Sequence, residues 1–242
     1  MDKLKSNYEK QVLLARELFL KYDQEKMKEK FHLQSDEGYL YLPFLDESYR
    51  ISRQDGRIEK RICGIYGQDG RIEKQICEFS GQDGRNEKQS SGDYAVCMDY
   101  NVVMTIYDIL CCSRGHPVLS GEWCRLSSLQ VTGSSPSTEL VTGRYAKKFS
   151  GRAKQLRQAC EALHGEFRSV PASADACYQI PLFPFFSVIL QFWDGDEEFA
   201  PRIVILWDKN ALQFLHFETL YYAMGHLLER LSEASEKEKD GR

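Results

Sequence analysis

Apolar side chains fall at helical intervals near the start of the chain. Tyr8, Val12, Ala15, Phe19 and Tyr22 share one helical face, and Ser6 with Glu9 forms a capping box that starts a helix near Asn7. A second short helix begins after Asp23 and carries Met27 and Phe31. The period then drops to two, so Tyr39-Leu40-Tyr41-Leu42 and Tyr49-Arg50-Ile51 read as strands. Helical spacing returns after Asp99, with Tyr100, Val103, Met104, Tyr107 and Leu110 on one stripe that stops at Gly115 and Pro117. Residues 132–142 are rich in Ser, Thr and Gly and predict a loop. Ser150 opens a further helix holding Leu156, Cys160 and Leu163, ended by Gly165. The last third is the most regular: an apolar strand from Phe185 to Trp193, a turn at Asp194-Gly195-Asp196, and a returning strand from Arg202 to Trp207. A helix from about Glu218 to Leu231 buries Leu220, Met224, Leu227, Leu228 and Leu231, and residues 232–242 form a polar, flexible tail. Strands in runs, with helices before and after them, predict one α+β domain over residues 1–242, its mixed or antiparallel sheet flanked by helices.

A repeat interrupts this pattern. Gln54-Asp55-Gly56-Arg57 recurs at Gln68 and at Gln82, 14 residues apart each time. Asp-Gly favours a type I′ hairpin turn with both central residues at positive φ. An even period keeps the same side chains on the same face, so added units over residues 54–92 extend a β-meander or a loop without disturbing a core.

Composition narrows the function classes. Acids and bases nearly cancel, to a net charge of -4 over 242 residues, which removes the electrostatic attraction a phosphate backbone demands. No nucleic-acid partner is expected. No apolar run follows the charged N-terminus and none reaches the eighteen or so residues of a membrane span, so the expectation is a cytoplasmic protein with reduced cysteines. The eight cysteines include no C-x-x-C pair, which predicts no metal site. Phosphate loops and nucleophile elbows are missing too, so whether the chain is an enzyme stays undecided and no cofactor can be named.

Two places concentrate chemistry. Asp194, Asp196, Glu197 and Glu198 crowd a hairpin tip between Trp193 and Phe199, where carboxylates could hold a cation or exchange protons. His116 and Pro117 lie within one loop's reach of Glu122 and Trp123, while His216 precedes the last helix. His226 shares a helix face with Glu218, Tyr222 and Glu229, which predicts a solvated imidazole. A neutral imidazole serves as base or ligand.

Several of these residues also carry a family resemblance. Phe192-Trp193-Asp194-Gly195-Asp196-Glu197-Glu198-Phe199-Ala200-Pro201, Leu206-Trp207-Asp208 and Pro117-Val118-Leu119-Ser120-Gly121-Glu122-Trp123 resemble motifs of an uncharacterised prokaryotic family, mostly from anaerobes, over residues 8–231. Some relatives carry an iron–sulfur segment like that of corrinoid proteins, which this chain lacks. With no nucleophile, metal cluster or phosphate loop in the sequence, the expectation is a ligand-binding or accessory protein. The resemblance implies an anaerobe and, through the relatives' neighbouring segment, a link to tetrapyrrole or corrinoid metabolism. Its expected ligand site is Glu122, Trp123, Trp193, Asp196, Glu197, Glu198, His116 and His216, with Phe199 and Trp207 as further aromatic lining. That site requires the Gly-Glu-Trp segment and the acidic bend to share one pocket. Two alternatives stay open: an enzyme pairing Glu122 with His116 or His216 as acid and base, or a protein-interaction module using the repeat.

Overall fold

Ser6 and Glu9 close the capping box: the Ser6 amide donates to the Glu9 carboxylate at 2.7 Å and the Glu9 amide to the Ser6 hydroxyl at 3.2 Å. The resulting helix is α1 (Asn7–Lys21) in a computed structural model that describes residues 6–66, 72–75, 93–129, 137–169 and 174–240. Of its apolar stripe only Phe19 is fully buried, and Tyr8 lies edge-on to Tyr100 at 4.9 Å. The Asp23 carboxylate accepts from the Glu25 and Lys26 amides to start α2 (Gln24–Phe31), whose Met27 and Phe31 are buried as their spacing predicts. The chain groups into two compact units, residues 1–111 and 112–242.

Among the described residues the first unit holds six strands: β1 (Gln34–Ser35), β2 (Tyr39–Phe44), β3 (Glu47–Ser52), β4 (Ile58–Tyr66), β5 (Ile72–Gln75) and β6 (Asp93–Val96). They pair antiparallel in the order β1-β2-β3-β4-β5, with β6 also on β4. Strict alternation sends Leu40, Leu42, Phe44, Tyr49 and Ile51 to the buried face. Glu47 joins them as a buried carboxylate, accepting from the Tyr49 hydroxyl and ion-paired to Lys60. Burial, with that carboxylate beside it, pushes the Tyr49 phenol well above its usual range. On the opposite face the Arg50 guanidinium lies between the rings of Tyr39 (4.1 Å) and Tyr94 (3.7 Å) and donates to Glu59 at 2.7 Å. Helix α3 (Tyr100–Cys112) follows, and its Tyr107 hydroxyl donates to the Gly56 carbonyl at 2.7 Å.

The first repeat copy does turn the chain between β3 and β4, but not as a type I′ hairpin. Only Gly56 has a positive φ, 74°, and Asp55 does not. The Gly56 amide donates to Ser52 O and the Ser52 amide to Arg57 O, both at 2.8 Å, which closes a four-residue loop. Asp55 instead accepts from the Arg57 amide at 3.0 Å, an aspartate turn that needs no left-handed backbone at Asp55. β4 and β5 pair on either side of the second copy, Tyr66 opposite Ile72. The rest of residues 54–92 beyond these strands, including the third copy, lies outside the described residues.

The second unit holds β7 (Trp123–Arg125), α4 (Glu139–Phe149), α5 (Ala153–Ala162), β8 (Glu166–Phe167), β9 (Ala176–Phe183), β10 (Phe186–Trp193), β11 (Arg202–Asp208) and α6 (Phe217–Asp240). Its sheet runs β7-β11-β10-β9-β8, antiparallel throughout. The chain is therefore an α+β protein with two antiparallel sheets. One face of this second sheet presents Phe186, Val188, Leu190, Phe192, Ile203, Ile205 and Trp207, all buried, while α4 packs on β11 and α5 on β9. α6 packs on α4 and α5 and contributes Leu220, Met224, Leu227, Leu228 and Leu231. Each such side chain is worth about 1.5–3 kcal/mol of burial.

Four expectations need correcting. Residues 139–142 of the predicted 132–142 loop are the first turn of α4. The last helix, expected to end at Leu231, runs on as α6 through residue 240, with Ser232 and Ser235 buried and Lys148 paired with Glu236 at 2.7 Å; residues 241–242 of the expected 232–242 tail lie outside the described residues. His226 is buried rather than solvated. Finally, α5 ends at Ala162, ahead of Gly165, and the left-handed residue that follows it is His164 at φ 59°. Gly165 is needed for space instead: its amide donates to Cys160 O at 2.7 Å, and a Cβ would come within 2.6 Å of that oxygen.

Candidate functional site

Asp208 ends β11 as a buried carboxylate, 1% exposed. Its oxygens accept from the amides of Ser120 (2.9 Å), Gly121 (2.8 Å) and Asn210 (2.8 Å) and from the Ser120 hydroxyl at 2.9 Å. Burial alone would raise its pKa; the donors at Ser120, Asn210 and Gly121 outweigh burial and hold it below the usual carboxylate value. This clasp fixes the Pro117–Trp123 segment against the end of β11. Asn210 Nδ2 donates to Val118 O at 2.9 Å, and the Lys209 amide to Glu122 O at 2.8 Å. Glu122 itself points to solvent and forms an ion pair with Lys209. Of the expected residues in this segment, Glu122 and Trp123 are thus placed by a structural carboxylate that the expected site did not include.

The acidic bend is held by a separate set of bonds. The Asp194 carboxylate accepts from the Gly151 amide at 2.9 Å, just before α5, and the Asp194 amide donates to Asp175 at 2.7 Å. Asp196 accepts from the amides of Glu198 (2.8 Å) and Phe199 (2.7 Å), and these two bonds lower its pKa. Asp196, Glu197, Glu198 and Phe199 are all exposed. Trp193 is half-buried under the Arg202 guanidinium, 4.3 Å from its ring.

These two regions do not form one pocket. Trp123 pairs with Asp208 and Trp193 with Arg202, the two ends of seven-residue β11. Six strand steps at about 3.4 Å put them about 20 Å apart. They do share one face of the sheet, since paired residues project to the same side and positions two apart agree. Val204 and Leu206 lie between them, with Ile189 and Gln191 alongside, all half-buried. Trp207 faces the other way into the core, 6.2 Å from Phe186, with an indole N–H that finds no partner among the described residues.

The histidines also separate. His116 is exposed in the clasped loop. His216, exposed just before α6, has a ring nitrogen within 4.8 Å of the Cys112 sulfur. Nothing in the chain's local spacing signals that approach, because the two stand 104 positions apart. Among the described residues no helix is long and apolar enough to cross a membrane.

Fold and surface together define an α+β protein whose second unit carries a half-buried, two-tryptophan sheet face secured at one end by a buried aspartate. The chain belongs to the family described as a domain of unknown function, DUF3786, whose model matches residues 71–230. The matched span includes the clasped loop, the acidic bend and β11, and is narrower than the resemblance traced over residues 8–231. No curated protein and no solved structure matches the chain.

Proposed function

We propose that the protein is a ligand-binding or accessory protein whose binding surface is the outer face of the second sheet. The supporting observation is the strand register that sets Trp123 and Trp193 on one face about 20 Å apart with Val204 and Leu206 between them. Such a strip suits a broad, flat, largely apolar ligand laid across the strands rather than a small molecule enclosed in a pocket. A tetrapyrrole or corrinoid has that shape, and the family resemblance is what brings this class forward; cytoplasmic residence fits the same reading. The acid/base alternative draws less support, because Glu122 is engaged by Lys209.

Titration with haem and with hydroxocobalamin, followed by absorbance and tryptophan emission, tests the proposal. A saturable change is expected with at least one of them. Stacking on an aromatic ring contributes about 1 kcal/mol, so Trp123→Ala with Trp193→Ala should weaken binding about thirtyfold. No saturable change with either ligand, or an affinity indifferent to both tryptophans, refutes it.

A further inference from the structure

We propose that Cys112 and His216 form an open binding site for a borderline divalent transition metal such as zinc. This inference stands apart from the sheet-face reading and does not depend on it. The Cys112 sulfur and a ring nitrogen of His216 lie within 4.8 Å of each other, and both residues are exposed. Around a tetrahedral zinc, bonds of about 2.3 Å to sulfur and about 2.0 Å to nitrogen set those two atoms about 3.6 Å apart. A small rotation about either side chain closes the difference.

The backbone around the pair is already fixed. The Arg114 amide donates to Gln213 O at 2.8 Å, the Val118 amide to Gln213 Oε1 at 3.2 Å, and Asn210 to Val118 O at 2.9 Å. The Leu220 amide donates to His216 O at 3.2 Å, anchoring the histidine to the first turn of α6. The segment after Cys112 and the segment before His216 are thus laced together, so two ligands distant in sequence are held side by side without a metal having to gather them. Cys112 also ends α3, and the carbonyl end of a helix favours a cation.

Ligand chemistry sets the class of ion. Thiolate with imidazole selects zinc, cobalt or copper over magnesium and calcium, which take oxygen. As the sulfur–metal bond forms, the thiol proton leaves to solvent. Cys112 and His216 supply two of the four positions of a tetrahedral ion, and water or a further donor takes those left over.

Cobalt is the probe. Titrating the reduced protein with Co²⁺ should give a thiolate-to-cobalt charge-transfer band that Zn²⁺ bleaches. Cys112→Ser should abolish the band and His216→Gln should weaken cobalt binding at least tenfold, while Cys97→Ser, Cys124→Ser and the pair Cys63→Ser/Cys77→Ser keep it. As a second readout, Zn²⁺ should shift the His216 ring nitrogens by NMR in the native protein and not in Cys112→Ser. Absence of the band in the native protein, its survival in Cys112→Ser, or cobalt affinity unchanged by His216→Gln overturns the proposal.

Discussion

Replacing Asp208 with alanine removes the acceptor of four hydrogen bonds at once. Bonds to a charged group contribute about 1.5–3 kcal/mol each. Ser120 and Gly121 are exposed, so their freed donors recover water and the net loss should fall well below the sum of the four, to about 2–3 kcal/mol in all. All three tryptophans lie in the second unit, so their emission during urea unfolding reports that unit by itself. Asp208 is held below its usual pKa of 3.8 in the folded protein. A carboxylate depressed in this way stabilises above the unfolded pKa and loses that contribution as pH falls through the folded one. The native protein and Asp208→Ala should therefore differ fully at pH 7 and converge below about pH 4. Amides of Ser120, Gly121 and Asn210 should exchange at least tenfold faster in the variant. A stability difference under about 1 kcal/mol at pH 7, or one that persists undiminished in acid, refutes the clasp.

Other substitutions separate surface chemistry from structure. Glu122→Gln should change stability by less than about 1 kcal/mol, since its ion pair with Lys209 is exposed; denaturant midpoints check this. His164→Gly should raise the thermal midpoint by the equivalent of about 0.5–1 kcal/mol, because glycine takes the left-handed φ of 59° without strain. Gly165→Ala should cost several times more, its Cβ meeting the Cys160 carbonyl. Burial pushes the Cys97 thiol up to about 11, so at pH 8 only about one part in a thousand is thiolate; mass-resolved alkylation should label Cys112 well before Cys97.

What the sequence made legible was what short-range chemistry controls. The capping box at Ser6, the alternation of β2 and β3, and the β10–β11 hairpin all follow from neighbours a few residues apart. β9 was missed because both its faces are largely buried, so Ala176 to Phe183 shows no alternation, and Pro181 reads as a strand breaker. Here the proline sits beside an irregularity in the β9–β10 register between Phe186 and Ser187. β7 is only three residues long, too short for a pattern. The candidate site failed for a related reason. Acidic and aromatic residues at Gly121-Glu122-Trp123 and at the bend drew attention by chemistry, whereas strand order decides that they occupy opposite ends of β11. Asp208 was visible as the end of the Leu206-Trp207-Asp208 motif but with no role attached, because its partners at Ser120 and Gly121 lie 88 and 87 positions away.

That distance also orders assembly during synthesis. β9, β10 and β11 are consecutive and joined by short turns, so they close on one another with little loop entropy. β7, though made earlier, joins the outer edge of β11 and receives its anchoring carboxylate only after residue 208 has been translated. Ribosome-bound chains halted before that residue should carry the Ser120–Trp123 stretch as a protease-sensitive strand, and chains released beyond it should not.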